Sequence, residues 1–163
     1  LTVPFSVDFK AFGEDDVAYK MLGMGDRLDD ASPVLHAIAD MLRLSELKLF
    51  ETEDAWAPLK ESTIERKRAL GQPLDILKAT EAMFRSLTRH GSGGFEVITD
   101  DTLYFGTSVE YAKFHKTGTR FMPKRDPLLV DESLRRRITK EVQRYMVAQE
   151  RAMFGVPEFG GIA

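Results

Sequence analysis

The chain of 163 residues contains no cysteine. That single absence removes disulfide scaffolds, cysteine-ligated zinc, iron–sulfur clusters and thiol nucleophiles together. Histidine is scarce as well. His36, His90 and His115 are the only three, none in a His-x3-His pair or a His-Glu-x-x-His unit, so a zinc site would have to gather ligands from afar. No apolar run approaches the roughly 18 residues of a membrane span. Leu1 to Phe12 alternate in polarity and include Asp8 and Lys10, which is not the pattern of a secretory leader. There is no Gly-x-Ser-x-Gly elbow, and the glycine-rich Gly91-Ser92-Gly93-Gly94 lacks a following Lys-Ser/Thr pair and precedes an expected strand, so it reads as a turn and not a phosphate loop. The acidic clusters Glu14-Asp15-Asp16, Asp29-Asp30 and Glu53-Asp54 lack calcium-loop spacing. Neither a metal, a cofactor nor a catalytic constellation is expected; catalytic residues scattered along the chain would leave no such trace.

An excess of one charge is missing too, with a net charge of −3, but the balance hides an asymmetry. Residues 1–54 carry five Lys/Arg against twelve Asp/Glu, whereas residues 55–163 carry eighteen against fourteen. An acidic front and a basic back suit head-to-tail packing of subunits or an acidic partner; ordinary variation between surface helices explains them equally well. The basic excess concentrates in residues 113–151, where Lys113, Lys116, Arg120, Lys124, Arg125, Arg135, Arg136, Lys140 and Arg144 are the candidate subunit or partner contacts.

Hydrophobic residues make up 43% and charged residues 30%, as in an ordinary globular protein. Alternation of Val3, Phe5, Val7 and Phe9 predicts a strand over Thr2–Phe12. Val17, Met21, Met24 and Leu28, spaced four, three and four, predict a helix over Glu14–Leu28, weakened by Gly23 and Gly25. Ser32 as cap and Pro33 at the first position start a helix that runs to about Phe50. A loop anchored by Trp56, a short helix capped by Ser62 or Thr63, and another short helix over Asp75–Met83 follow. Phe84–Thr107 reads as strands around the 91–94 turn and the Asp100-Asp101 turn. Ser108–Lys116 predicts a short helix ending near Gly118. Asp131 caps a last helix whose apolar stripe is Leu134, Ile138, Val142, Tyr145 and Met146. The sum is one α+β domain over 1–154, a small antiparallel sheet of about three to four strands packed by long helices, with an apolar tail over 155–163.

Three stretches in order resemble a known family: Phe50 to Lys67 with Trp56-Ala57-Pro58-Leu59 and Ser62-Thr63-x-x-x-Lys67; Ile76 to Leu87; and Tyr104-Phe105-Gly106-Thr107, Tyr111-Ala112-x-x-His115-x-x-Gly118 and Met122-Pro123-x-Arg125-x-Pro127-Leu128-Leu129. Together they resemble the virion-morphogenesis or tail-completion proteins of tailed bacteriophages, the Mu G-like group, over roughly residues 34–150. The chain departs from the usual pattern with Thr80-Glu81 in place of Thr-Gly, His115-Lys116 in place of His-Gln, and Pro123-Lys124-Arg125-Asp126-Pro127-Leu128 in place of Pro-x-Arg-Pro-Phe. Replacing that glycine by Glu81 at negative φ would extend the preceding helix by a turn.

The resemblance implies a structural virion protein and not an enzyme. What the resemblance further implies is a protein made in the host cytoplasm and expected at the neck or head-proximal tail end, where it would form a ring, six-fold by expectation, between the head connector and the tail terminator or tube, with no membrane. The alternative is a nucleic-acid-binding accessory protein that uses the basic C-terminal helix, and the two meet if DNA passes through the ring. Among the motif residues Trp56 reads as an anchor, Pro58 as a lock on extended backbone, and Tyr111 and His115 as neighbours on one helix face. Pro123 and Pro127 stiffen a loop that Arg125 can tie down through carboxylate or carbonyl contacts, and Gly118 ends the helix before it.

Overall fold

The computed structural model describes residues 8–12, 17–22 and 30–154. The expected strand before Asp8, Gly13, Glu14-Asp15-Asp16, Gly23, Gly25 and the tail 155–163 lie outside the described residues.

Two long helices are packed against each other. Helix α1 (Ser32–Thr52) begins one residue earlier than its sequence suggests: Ala31 is the cap residue, and the Asp30 carboxylate accepts the Ser32 N–H at 2.8 Å. Pro33 still falls in the first turn, where its missing donor costs nothing. Helix α5 (Glu132–Phe154) is capped as expected, with the Leu134 N–H donating to the Asp131 carboxylate at 2.7 Å. Its stripe of Leu134, Ile138 and Val142 is fully buried against Leu35, Ile38 and Leu42 of α1 in one core.

Between them in sequence lie α2 (Glu61–Ala69), α3 (Ala82–Thr88), the strands β3 (Gly94–Ile98) and β4 (Leu103–Thr107), and α4 (Ala112–Thr117). The fold is α+β. Strands β3 and β4 form the expected antiparallel hairpin, Val97 opposite Tyr104. The other edge of β4 pairs with the backbone of β2 (Val17–Leu22), and β2 with β1 (Asp8–Phe12), giving the order β1-β2-β4-β3. The covered face of β4 contributes Leu103 and Phe105 to the core below α1 and α3.

Four expectations are corrected. Val17–Leu22 is a strand and not part of a helix, because of the apolar spacing only Val17 and Met21 fall within it, four apart, which satisfies either period, and the open edge of β4 decides. Phe84–Thr88 is helical, not extended: Met83, Ser86 and Leu87 are buried at i, i+3 and i+4. No helix occupies Asp75–Ala79; Leu77 and Glu81 both take positive φ, 59° and 56°, which ends any right-handed turn. Glu81 therefore adopts the left-handed conformation the family's glycine would supply, instead of extending a helix through it. Finally, α2 starts after Lys60, with no side-chain cap from Ser62 or Thr63.

Candidate functional site

The residues that carry the resemblance fold into an internal clasp. Trp56 sits in the loop after α1, its ring edge-on to Phe50 at 5.0 Å, and Phe50 in turn meets Phe84 of α3 at 5.4 Å. The indole N–H of Trp56 donates to the Asp126 carbonyl at 2.8 Å. The reciprocal contacts come from Arg125, whose Nε and Nη2 donate to the Ala57 and Pro58 carbonyls at 2.7 and 2.9 Å. Two irregular segments some 70 residues apart thus satisfy each other's backbone groups, which buried loops require. Lys67 performs the same service one loop further on. Its buried ammonium donates to the carbonyls of Pro73 and Asp75, and that burial lowers its pKa from the usual lysine value. The Glu53 carboxylate accepts the Ile76 N–H at 2.6 Å.

The clasp passes directly into α4 and the segment after it. The Arg125 N–H donates to the His115 carbonyl at 2.8 Å, and Gly118 closes α4 with its N–H on the Phe114 carbonyl. Gly118 has φ 76°, and a Cβ there would stand 2.9 Å from the Lys124 nitrogen, so only glycine fits. Thr119 and Met122 then exchange backbone hydrogen bonds across a two-residue tip, Arg120-Phe121. Phe121 is 84% exposed. Tyr111 and His115 share a face of α4 as expected, their rings 6.0 Å apart, and Tyr111 also reaches Thr80 at 3.2 Å. His115 is half-buried with Nδ1 unpartnered; burial, then the nearby Arg125 cation, lower its pKa, so it is a neutral packing group at pH 7. Pro127 is buried, whereas Pro58 and Pro123 are exposed.

The candidate contact residues separate into two groups. Arg125 is corrected: it is buried and engaged within the subunit, so it presents no charge to a partner. Its sequence neighbours Arg120 and Lys124 are exposed beside the tip, and Lys113 and Lys116 are half-buried on α4. Arg135, Arg136, Lys140 and Arg144 are all exposed along α5. Arg136 pairs with Glu132 at 3.2 Å and Arg144 with Glu141 at 2.8 Å, exposed pairs that exchange readily for an outside anion. Arg137, Lys140 and Arg144 follow one another at helical spacing, and Ser133, Arg136, Arg137 and Lys140 line a shallow hollow of about 300 Å³.

Two features have no counterpart in the sequence reading. A groove of about 390 Å³ runs between the C-terminal half of α1 and the start of α5, lined by Leu44, Leu49, Leu129 and Leu134 together with Lys48, Asp54, Asp131 and Arg137. The second is Glu46, on α1 and wholly buried, with neither carboxyl oxygen in a hydrogen bond. Burial, and to a lesser degree the Asp126 carboxylate, push its pKa well above the usual carboxylate range; the Leu129 amide opposes this without reaching hydrogen-bond geometry. The helical position of Glu46, one turn from Leu42 and Leu49, was the available signal for its burial.

Among the described residues no three His, Cys, Asp or Glu side chains gather as a metal site would require, and no helix is long and apolar enough to cross a membrane. Compared with known proteins, residues 16–158 match a family model described as the phage virion morphogenesis family. No curated protein and no solved structure matches.

Proposed function

Since the chain belongs to the phage virion morphogenesis family and acts in building the virion, we propose that it is a structural, non-catalytic component of the neck, a subunit of a ring between the head connector and the tail terminator or tube. Six-fold symmetry is the expected order. The observation that carries this reading is the division of labour among the polar residues. Trp56, Lys67 and Arg125 are engaged inside the subunit. The exposed tip at Arg120-Phe121 and the exposed cations of α5 remain outside it, on two separate segments of the chain. A ring built from identical subunits needs two unlike patches of this kind on each copy.

Deleting the gene and imaging the particles tests it. The expected result is full heads and finished tails that fail to join, with the protein present in purified wild-type particles. Normal joining in the deletion, or absence of the protein from particles, overturns the reading.

The row of Arg137, Lys140 and Arg144 favours a second reading, contact with DNA phosphates. It predicts duplex binding whose affinity falls steeply with salt, on the order of one counterion released per contact. No binding at low salt removes it.

A further inference from the structure

We propose that Glu46 is a proton-operated latch on the clasp: with its proton it lets the segment 125–129 lie on α1, and without it the segment is driven off, the Trp56–Asp126 contact opens and the Arg120-Phe121 tip loses its mount. The device is internal to one subunit and holds whether or not copies form a ring.

The geometry begins on α1. Its buried stripe runs Ile38, Leu42, Glu46, Leu49 and Phe50, so helical spacing delivers a carboxyl to a place that otherwise takes apolar side chains. Glu46 is wholly buried, and no protein donor reaches either oxygen. Arg43, one turn back on the same helix, is committed to Glu96. From α3, α5, β3 and β4, the other elements packed against α1, no charged group acts on Glu46 among the described residues. The one that does is negative: Asp126, a half-buried carboxylate on the clasp segment. The cations around Asp126 are Lys124, 4.0 Å away, and Lys116 of α4, while Arg125 holds the Ala57 and Pro58 carbonyls. An ionised Glu46 thus has no donor and no counter-ion, and it faces a second negative charge.

How each side is held decides which one yields. Helix α1 has 21 residues and packs on α3, α5 and the hairpin. The facing segment is irregular, and few ties hold it: the Trp56 indole on the Asp126 carbonyl, the Arg125 contacts, and Leu128, which is wholly buried. Leu128 draws the segment inward, and an ionised Glu46 repels Asp126 outward. One proton therefore selects between two arrangements. Burial holds the Glu46 proton above the usual carboxylate range, so the closed arrangement belongs to low pH and the open one gains as pH rises. His115, the other titratable group beside the clasp, works in the opposite sense: losing its charge relieves its repulsion of Arg125 and favours closure. Opening reaches the tip through Arg125, whose amide holds the His115 carbonyl and fixes the base on which Thr119 and Met122 are cross-bonded.

Trp56 is the only tryptophan and sits at the contact that opens, so its emission reads the latch directly. Raising the pH from about 5 to about 9 should move the wild-type emission to longer wavelength as the indole gains water. Over the same range, hydrogen exchange corrected for the intrinsic effect of pH should lose protection on the order of tenfold across residues 119–129, while α1 and α5 keep theirs. Glu46→Gln, uncharged at every pH, should stay closed throughout. Asp126→Asn keeps an acceptor for the Leu128 N–H and should open to a smaller extent, because an ionised Glu46 is then less repelled. A transition that survives unchanged in Glu46→Gln belongs to another group and overturns the latch. A wild type whose emission and exchange stay flat overturns it too, as does loss of protection in α1 and α5 at the same pH, which is general unfolding. If Glu46→Gln fails to fold, Asp126→Asn decides alone: a transition of full size in that variant refutes the proposal, and a reduced one supports it.

Discussion

At the scale of single residues, the polar side chains that matter most are the ones taken out of water. Glu46 is the extreme case, a wholly buried carboxyl one helical turn from Leu42 and Leu49 whose oxygens make no hydrogen bond among the described residues. Its folded pKa is raised, so the folded state keeps a proton that the unfolded chain releases above about pH 4.3. Its contribution is therefore least harmful below that pH and becomes more destabilising as pH rises toward the folded pKa. Glu46→Gln, close in shape but without the titration, should melt together with the wild type near pH 4 and progressively higher than it toward pH 8. Melting curves across that range check this. Glu81 makes a complementary case. Its φ of 56° costs about 1 kcal/mol relative to glycine, and its exposed ion pair with Arg85 returns only a few tenths. Glu81→Gly should raise the melting temperature by about 2–4 °C. The sequence showed that glycine was missing at this position, yet not which way the backbone would resolve it. It left Arg125 open between carboxylate, carbonyl and partner contacts, and its carbonyl contacts and burial depend on the Trp56 loop arriving from some 70 residues away, a distance that no local pattern encodes.

Long elements were legible from their periodicity and short ones were not. Helices α1 and α5 offer five or six turns of repeated apolar spacing, and the β3–β4 hairpin offers alternation on both sides of a turn. Strand β2 and helix α3 have six and seven residues, too few for period two and period 3.6 to separate, so the partner each one packs on settles the matter. The loops around the clasp are irregular in sequence and ordered in space for the same reason: their hydrogen bonds run to each other. Trp56→Phe keeps the ring against Phe50 and leaves the Asp126 carbonyl unpaired, a loss of about 1–3 kcal/mol. Arg125→Lys removes the fork that holds two carbonyls at once. Because both act on the same pair of segments, the double variant should be less destabilised than the sum of the singles by 0.5 kcal/mol or more, as a denaturant-based cycle can measure.

For the whole molecule, the net charge of −3 conceals the arrangement that assembly would use. Arg120, Lys124 and the cations of α5 are exposed, and Asp54 and Arg137 of α5 line one groove. Exposed charges lose their reach as the screening length falls from about 10 Å at 0.1 M salt to about 3 Å at 1 M. If the exposed charges hold an assembly together, sedimentation should therefore show smaller species at 1 M than at 0.1 M salt. Family membership identified the kind of work the molecule does, and the surfaces identify where that work can happen. The link between them is the clasp.

That clasp also imposes an order in time. Trp56 emerges from the ribosome long before Asp126, and closing a loop of about 70 residues is among the slower and later events of folding. Until it closes, Arg125 has no carbonyls to hold and the tip has no fixed base. A truncated or half-folded chain thus carries Phe121 without the rigid mount, so the exposed tip takes its shape only in a chain that has been made past Asp126 and has closed the clasp.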